Sequence, residues 1–170
     1  MNKLLASLAL MSFATVGHGQ DTSAVVHESV VAAPVAAVWR AWATAEGLRE
    51  WLAPHAEIDL RIGGTLRSNY DPQASLDHPE TLDQVILAFD PERMLSFRVT
   101  KAPATLPFPN AVQRMWSVVY FEPVAEQSTR VRSVSLGFDA TDESQRMRAF
   151  FQRGNAAALA KLQQHFASSD

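Results

Sequence analysis

From Glu143 to Phe166 the chain contains no proline, and its apolar residues fall on one stripe: Met147, Phe150 and Phe151, then Gly154, Ala158 and Leu159, then Leu162 and Phe166. That spacing is the period of an α-helix with one face turned to a core. The predicted helix is about 36 Å long at 1.5 Å per residue. Asp142, with Gln145 three residues on, can cap its start. A stripe of this length needs an apolar surface of similar extent to cover it. The residues before it read as short strands, so the expected partner is a sheet.

The strands alternate in polarity or are rich in valine. Ala24–Val31 suits a first strand. Pro34 then opens a helix at a position where its missing N–H costs nothing. Val35, Val38, Trp39 and Trp42 follow on one face of that helix. A second short helix runs from Ala45 to Leu52, turning Leu48, Trp51 and Leu52 inward. Ala56, Ile58, Leu60 and Ile62 alternate with Glu57, Asp59 and Arg61, the period of a half-buried strand. Gly63-Gly64 makes the turn, and Thr65–Tyr70 returns. A polar loop covers 71–80. Leu82–Phe89 and Met94–Thr100 form a hairpin across Asp90-Pro91-Glu92-Arg93, whose residues suit a type I turn. A loop with three prolines covers 102–110, and Ala111–Phe121 with Thr129–Phe138 form the last hairpin. The order is one strand, two short helices, six strands and one long helix. The fold class is α+β: a curved antiparallel sheet of about seven strands around the C-terminal helix. No repeat or linker divides it.

The first 19 residues stand apart. Met1-Asn2-Lys3 is a basic start, Leu4–Val16 is largely apolar, and Gly17-His18-Gly19 offers small residues at a cleavage site. This reads as a signal peptide, with the folded domain over 20–170. The apolar run is too short to span a bilayer. An uncleaved interfacial anchor is the alternative. The expectation is a protein secreted across the inner membrane, periplasmic or extracellular, with no stable membrane anchor. The chain has no cysteine, which removes disulfides, thiol nucleophiles and thiolate metal sites together. A net charge of −3 implies no nucleic-acid surface.

Four stretches resemble the START-like (SRPBCC, helix-grip) superfamily, and within it the branch named after activators of a heat-shock chaperone ATPase. Ala33-Pro34 to Trp42 is similar to that branch's opening. Glu46-Gly47-Leu48 through Trp51-Leu52 is similar to its second helix with a marker tryptophan. Glu57 to Gly64 carries its "Asp-x-Arg-x-Gly-Gly" hairpin, the most specific of the four. Gly154-Asn155 with Leu159 and Leu162 matches its last helix, with asparagine where the family usually has tryptophan. The likeness covers about 24–166. It implies a cavity between helix and sheet suited to an apolar or amphipathic small molecule; no cofactor is expected. Since this fold hosts carriers, receptors, cyclases and co-chaperones, it does not by itself decide the activity.

The candidate lining of that cavity is Phe97 and Leu95 on one strand, Met115 and Trp116 on the next, and Phe151, Gly154, Asn155 and Leu159 on the helix. Trp116 and Tyr120 share one strand face, and Met115, Val119 and Phe121 the other; either face suits the interior. Gly154 reads as close approach of a ligand or as helix–sheet packing. Asn155 reads as an amide offered to a ligand or as a rim residue. Arg67 and His27 are the candidate polar groups, Arg67 to pair a ligand carboxylate or balance surface acids, His27 as a general base. The acids around His78 match no metal-binding spacing. No nucleophile elbow, metalloprotease motif or phosphate loop is present, and no catalytic residue is assigned. The leading expectation is an exported protein that binds an apolar or amphipathic small molecule. The alternatives are a cyclase, lyase or hydrolase using the same cavity, and a protein-interaction module of the co-chaperone kind.

Overall fold

The computed structural model describes residues 21–168, so the proposed signal segment lies outside the described residues. Strand β1 (Val25–Val31) is followed by helices α1 (Val35–Ala43) and α2 (Ala45–Trp51). Six strands follow: β2 (His55–Ile58), β3 (Thr65–Asn69), β4 (Leu82–Asp90), β5 (Met94–Lys101), β6 (Trp116–Ala125) and β7 (Ser128–Leu136). Helix α3 (Asp142–Ala167) ends the fold. The strands form one curled antiparallel sheet in the order β1-β7-β6-β5-β4-β3-β2. Thus β2 to β7 are a simple meander, and β1 joins its far side by pairing with β7, Val25 opposite Ser135 and Val31 opposite Thr129.

Helix α3 packs along β1, the edge strand. Gln163 Nε2 donates to the Val30 carbonyl, and Arg148 donates to the Ser23 carbonyl while pairing with Asp21 at 2.6 Å. These side chains occupy backbone acceptors at a sheet edge that would otherwise be free to pair with another chain. The helix is capped by Thr141, whose hydroxyl accepts from Ser144 N, rather than by Asp142. Asp139 fixes that cap by accepting from the Thr141 N–H and hydroxyl.

Three local expectations are corrected. The strand read through Ile62 ends at Ile58, and Ile62 is 71% exposed. Residues 59–64 form a compact turn instead: Asp59 N donates to Thr65 O, Gly64 N to Arg61 O, and Arg61 Nε to Asp59 Oδ2 at 2.7 Å. Gly63 sits at φ 78°, and a Cβ on Gly64 would fall 2.0 Å from the Asp59 carbonyl. Both glycines are therefore required by backbone geometry. Glu92, third in the Asp90–Arg93 turn, has φ 62°, which a type I turn lacks and a type II turn has. Finally, β6 begins at Trp116, because 112–114 form a 3₁₀ turn.

The core lies at the two ends of α3. At one end Leu159 and Leu162 meet Val38, Trp42 and Trp51 of the short helices and Val119, Phe121 and Val131 of the sheet. Trp42 lies 4.8 Å from Trp51 and 6.1 Å from Phe121, ring centre to ring centre. At the other end Met147 meets Val25, Val99, Phe108, Val112 and Phe138.

Candidate functional site

Between those packed ends the helix carries Gly154-Asn155-Ala156-Ala157-Ala158, of which Asn155 alone has a side chain long enough to hydrogen-bond the sheet. A Cβ added to Gly154 would meet nothing within 4 Å. The sheet opposite is equally slight in places, with Ser117 and Ser133 on its inward register. The gap that results is a cavity of about 650 Å³. Its volume is that of a pocket for a small organic molecule.

Most of the wall is apolar: Trp42, Phe97, Met115, Val119, Phe151 and Leu159 are among its lining. One polar chain crosses it. Asn155 Nδ2 lies 2.9 Å from Ser135 Oγ, which lies 3.2 Å from Ser117 Oγ. Ser135 is fully buried and Ser117 is 7% exposed. Behind them Ser96 Oγ donates to the Ser117 carbonyl. On the wall formed by β3 and β4, Asn69 and Gln84 add uncharged groups, and Asn69 Nδ2 is held by Thr81 Oγ1 and the Ser75 carbonyl. A buried donor nearby, Trp42 Nε1, has no hydrogen-bond partner among the described residues.

The ionisable lining residues, Tyr70, Asp71, Glu80 and Lys161, all occupy exposed or half-exposed positions that mark a rim. The Tyr70 side chain is half exposed, yet its phenol is pushed above the ordinary tyrosine value, first by burial, with Ser68 beside it acting in the opposite direction. The loops 71–80 and 102–110 meet at this rim: Thr105 donates both its hydroxyl and its N–H to Glu80 Oε2. Each loop is also anchored. Arg67 donates to the Leu76 carbonyl at 2.6 Å and to Asp83 at 3.1 Å. Its charge is stabilised chiefly by that Asp83 hydrogen bond. Glu143, at the start of α3, accepts from Asn110 N at 2.9 Å and Ala111 N at 3.2 Å. The Ala111 N–H, then that of Asn110, holds the Glu143 carboxyl below its ordinary value.

Of the residues singled out in the sequence, Phe97, Met115, Phe151, Gly154, Asn155 and Leu159 come together on the cavity wall. Gly154 is not there for close packing, since its Cβ position is open. Four others lie elsewhere. Leu95 shares the inward face of Phe97 but is fully buried in the core beside Ile86 and Val119. Trp116 is on the outer face, 38% exposed, so Met115, Val119 and Phe121 take the inner one. Arg67 is consumed by Asp83 and the loop carbonyl, on the outer side of β3. His27 faces inward opposite Ser133 and its Nε2 is buried with no hydrogen-bond partner among the described residues, but it is not part of the wall.

The sequence reading missed Trp42, Leu66, Asn69, Gln84, Ser117 and Ser133 as wall residues. The serines could not be found from sequence, because Ser117 counts as a wall residue only once the inward face of β6 is known, and the inward face of β7 mixes Thr129, Ser133 and Ser135 with Val131. Nor could Asn69 and Gln84, because only the curl of the sheet brings β3 and β4 over α3. Among the described residues no group of three or more His, Asp or Glu side chains is placed to hold a metal ion, and no helix is long and apolar enough to cross a membrane.

Comparison with known proteins places this geometry. The chain resembles protein MLL2253 from Mesorhizobium loti, with a TM-score of 0.66 and 23% identity over 86% of this chain and 98% of that one. It resembles Aha1 from Colwellia psychrerythraea, solved as a dimer, with a TM-score of 0.63 and 17% identity over 84% and 95% of the two chains. It also resembles norcoclaurine synthase from Thalictrum flavum, solved with dopamine and hydroxybenzaldehyde, with a TM-score of 0.60 and 16% identity over 98% and 99%. At these identities the likeness is one of fold. Comparison with curated protein sequences yields no match. Residues 32–167 match the family described as Activator of Hsp90 ATPase homolog 1-like protein, nearly the whole described domain, and the chain belongs to that family.

Proposed function

We propose that the protein binds an apolar or amphipathic small molecule in the cavity between α3 and the sheet, and that it does so after export. The observation that carries the reading is the cavity itself: about 650 Å³, walled by apolar side chains, with its ionisable residues confined to the rim. Binding would draw on burial of ligand surface, at about 25 cal/mol per Å² of apolar area. The Glu80–Thr105 contact would have to part, or flex, for the ligand to pass. A norcoclaurine synthase of the same fold holds small aromatic molecules, which supports a pocket of this kind. The enzymatic alternative needs an acid or base inside the pocket, and His27, its best candidate, is not on the wall.

The reading is tested by native mass spectrometry of the protein purified from its own compartment, together with a Nile red titration. A retained small molecule, or saturable Nile red binding that Gly154→Trp abolishes without unfolding the protein, is the expected result. No retained compound and no saturable binding would overturn it. Recovery of the chain from the cytosol, still carrying residues 1–19, would overturn the export half alone.

A second reading has one observation of its own. Val26, Val134 and Val118 are neighbours across β1, β7 and β6 on the outer face, with Trp116 and Leu136 paired beside them. Val26 and Trp116 are exposed, and such a face suits contact with a protein.

A further inference from the structure

The two ends of the polar chain on the cavity wall are complementary to one chemical group. Asn155 Nδ2–H donates to Ser135 Oγ at 2.9 Å. Ser135 Oγ lies 3.2 Å from Ser117 Oγ, a bond in which either hydroxyl can be the donor. Where Ser135 donates, Ser117 keeps its hydroxyl proton for a ligand, and in either case the chain leaves the second Asn155 Nδ2–H unused. At the other end Asn155 Oδ1 has no protein partner among the described residues and remains an acceptor. Ser117 and Asn155 both line the cavity, whereas Ser135, the link between them, does not. Whichever hydroxyl donates, the wall therefore presents at least one donor and one acceptor, fixed relative to each other by a buried serine. Reversing every bond in the chain leaves both Asn155 N–H groups to donate and the Ser117 oxygen to accept, so the wall still offers both functions.

A hydroxyl group donates one hydrogen bond and accepts others, so it alone among the simple neutral oxygen groups satisfies both ends. A ketone or ether only accepts. A carboxylate only accepts and also brings a charge into a wall whose own ionisable groups stand at the rim, where it would lose hydration without a partner. An ammonium group only donates, at the same cost.

We propose that the cavity selects an uncharged alcohol or phenol on an apolar skeleton, its hydroxyl held between Asn155 and Ser117, with Ser135 as the positioning residue. This rests on the small-molecule reading above and goes beyond it by naming the group that is recognised.

The test uses four fluorescent probes on one skeleton: pyrene, 1-hydroxypyrene, 1-methoxypyrene and 1-pyrenecarboxylate, each titrated into the purified protein. Pyrene reports whether the cavity takes an apolar molecule at all. The expected result is that 1-hydroxypyrene binds about tenfold more tightly than 1-methoxypyrene, the effect of one well-made hydrogen bond, with the carboxylate weakest. Asn155→Leu and Ser135→Ala should each bring the hydroxy and methoxy probes together while leaving pyrene binding in place. Equal binding of the two probes by the unaltered protein overturns the proposal, as does a preference that survives both substitutions. A carboxylate that binds best also overturns it, and points to Lys161 at the rim. If no probe binds, the small-molecule reading itself fails, an outcome that pyrene alone distinguishes.

Discussion

The middle of α3 and its two ends are parts of one helix against one sheet, and they are built on opposite principles. At the ends, Met147, Leu159 and Leu162 are almost wholly buried among branched and aromatic side chains. In the middle, a glycine, an asparagine and two alanines, Ala157 and Ala158, face inward-pointing serines across a cavity. A void of this size forfeits dispersion contacts along its whole lining, so the ends must supply the stability that the middle lacks. The comparison teaches that the cavity is written into the sequence by side-chain size on both walls, while the helix is pinned at either side of it.

The most severe way to break that division is to hollow out a packed end. Leu162→Ala should cost about 2–5 kcal/mol, because a fully buried leucine leaves a space its neighbours cannot close. Chemical denaturation measures it, and a loss under about 1 kcal/mol would show that the end is not packed as described. The pinning can be weakened next. Thr141→Ala removes the hydroxyl that accepts from Ser144 N, and should lower stability by about 1 kcal/mol. Thr141→Asn, which keeps an acceptor, should recover most of that loss in the same assay.

In the middle the sign reverses. Gly154→Ala places a methyl group in open space and removes backbone freedom from the unfolded chain. It should raise stability by up to about 1 kcal/mol, visible as a higher Tm. A destabilised variant would mean that the glycine is needed for packing after all, and would close the distinction between middle and ends.

The smallest expected effect concerns pH. The Glu143 carboxylate ties the start of α3 to the 102–110 loop, and its backbone partners hold it below the ordinary value of 4.5. A depressed carboxyl pKa means that the stabilisation is complete above 4.5 and is lost as pH falls through the lower, folded value. Asp139, lowered first by the Thr141 hydroxyl, acts in the same direction at the same helix end. Comparison of the parent protein with Glu143→Gln should thus show a stability difference at neutral pH that shrinks well below 4.5. A difference independent of pH would assign the role of Glu143 to shape rather than charge.

Much of the architecture was legible before any coordinates. The stripe on α3, the valine-rich β1, the tryptophan face of α1 and the hairpins of β4–β7 are all local periodicities, and a periodicity states which face is buried. The misread places are those where backbone detail outweighs pattern. Leu60 and Ile62 continue an apolar alternation, yet the two glycines and the Asp59–Arg61 pair fold that stretch into a turn. Residues 111–115 look like the start of a strand, yet they coil into a 3₁₀ turn that buries Ala111, Val112 and Met115.

For the site, the division is between what lies along one element and what meets across several. The sequence by itself determined the helix-facing half of the cavity, because Phe151, Gly154, Asn155 and Leu159 follow from one helical period, and Phe97 from one strand period. That the space is open was implied only by the family resemblance, and the open Cβ position of Gly154 is a finding of the structure. Only the tertiary structure decided which face of β6 points inward, since both faces carry apolar side chains and alternation fixes no sign. Only it brought Asn69 and Gln84 to the same wall, and removed Arg67 to Asp83. The joining of Asn155, Ser135 and Ser117 into one hydrogen-bonded chain was likewise out of reach of the sequence, because that chain depends on the register between β6 and β7 and on where α3 lies across them, distances that no local pattern encodes.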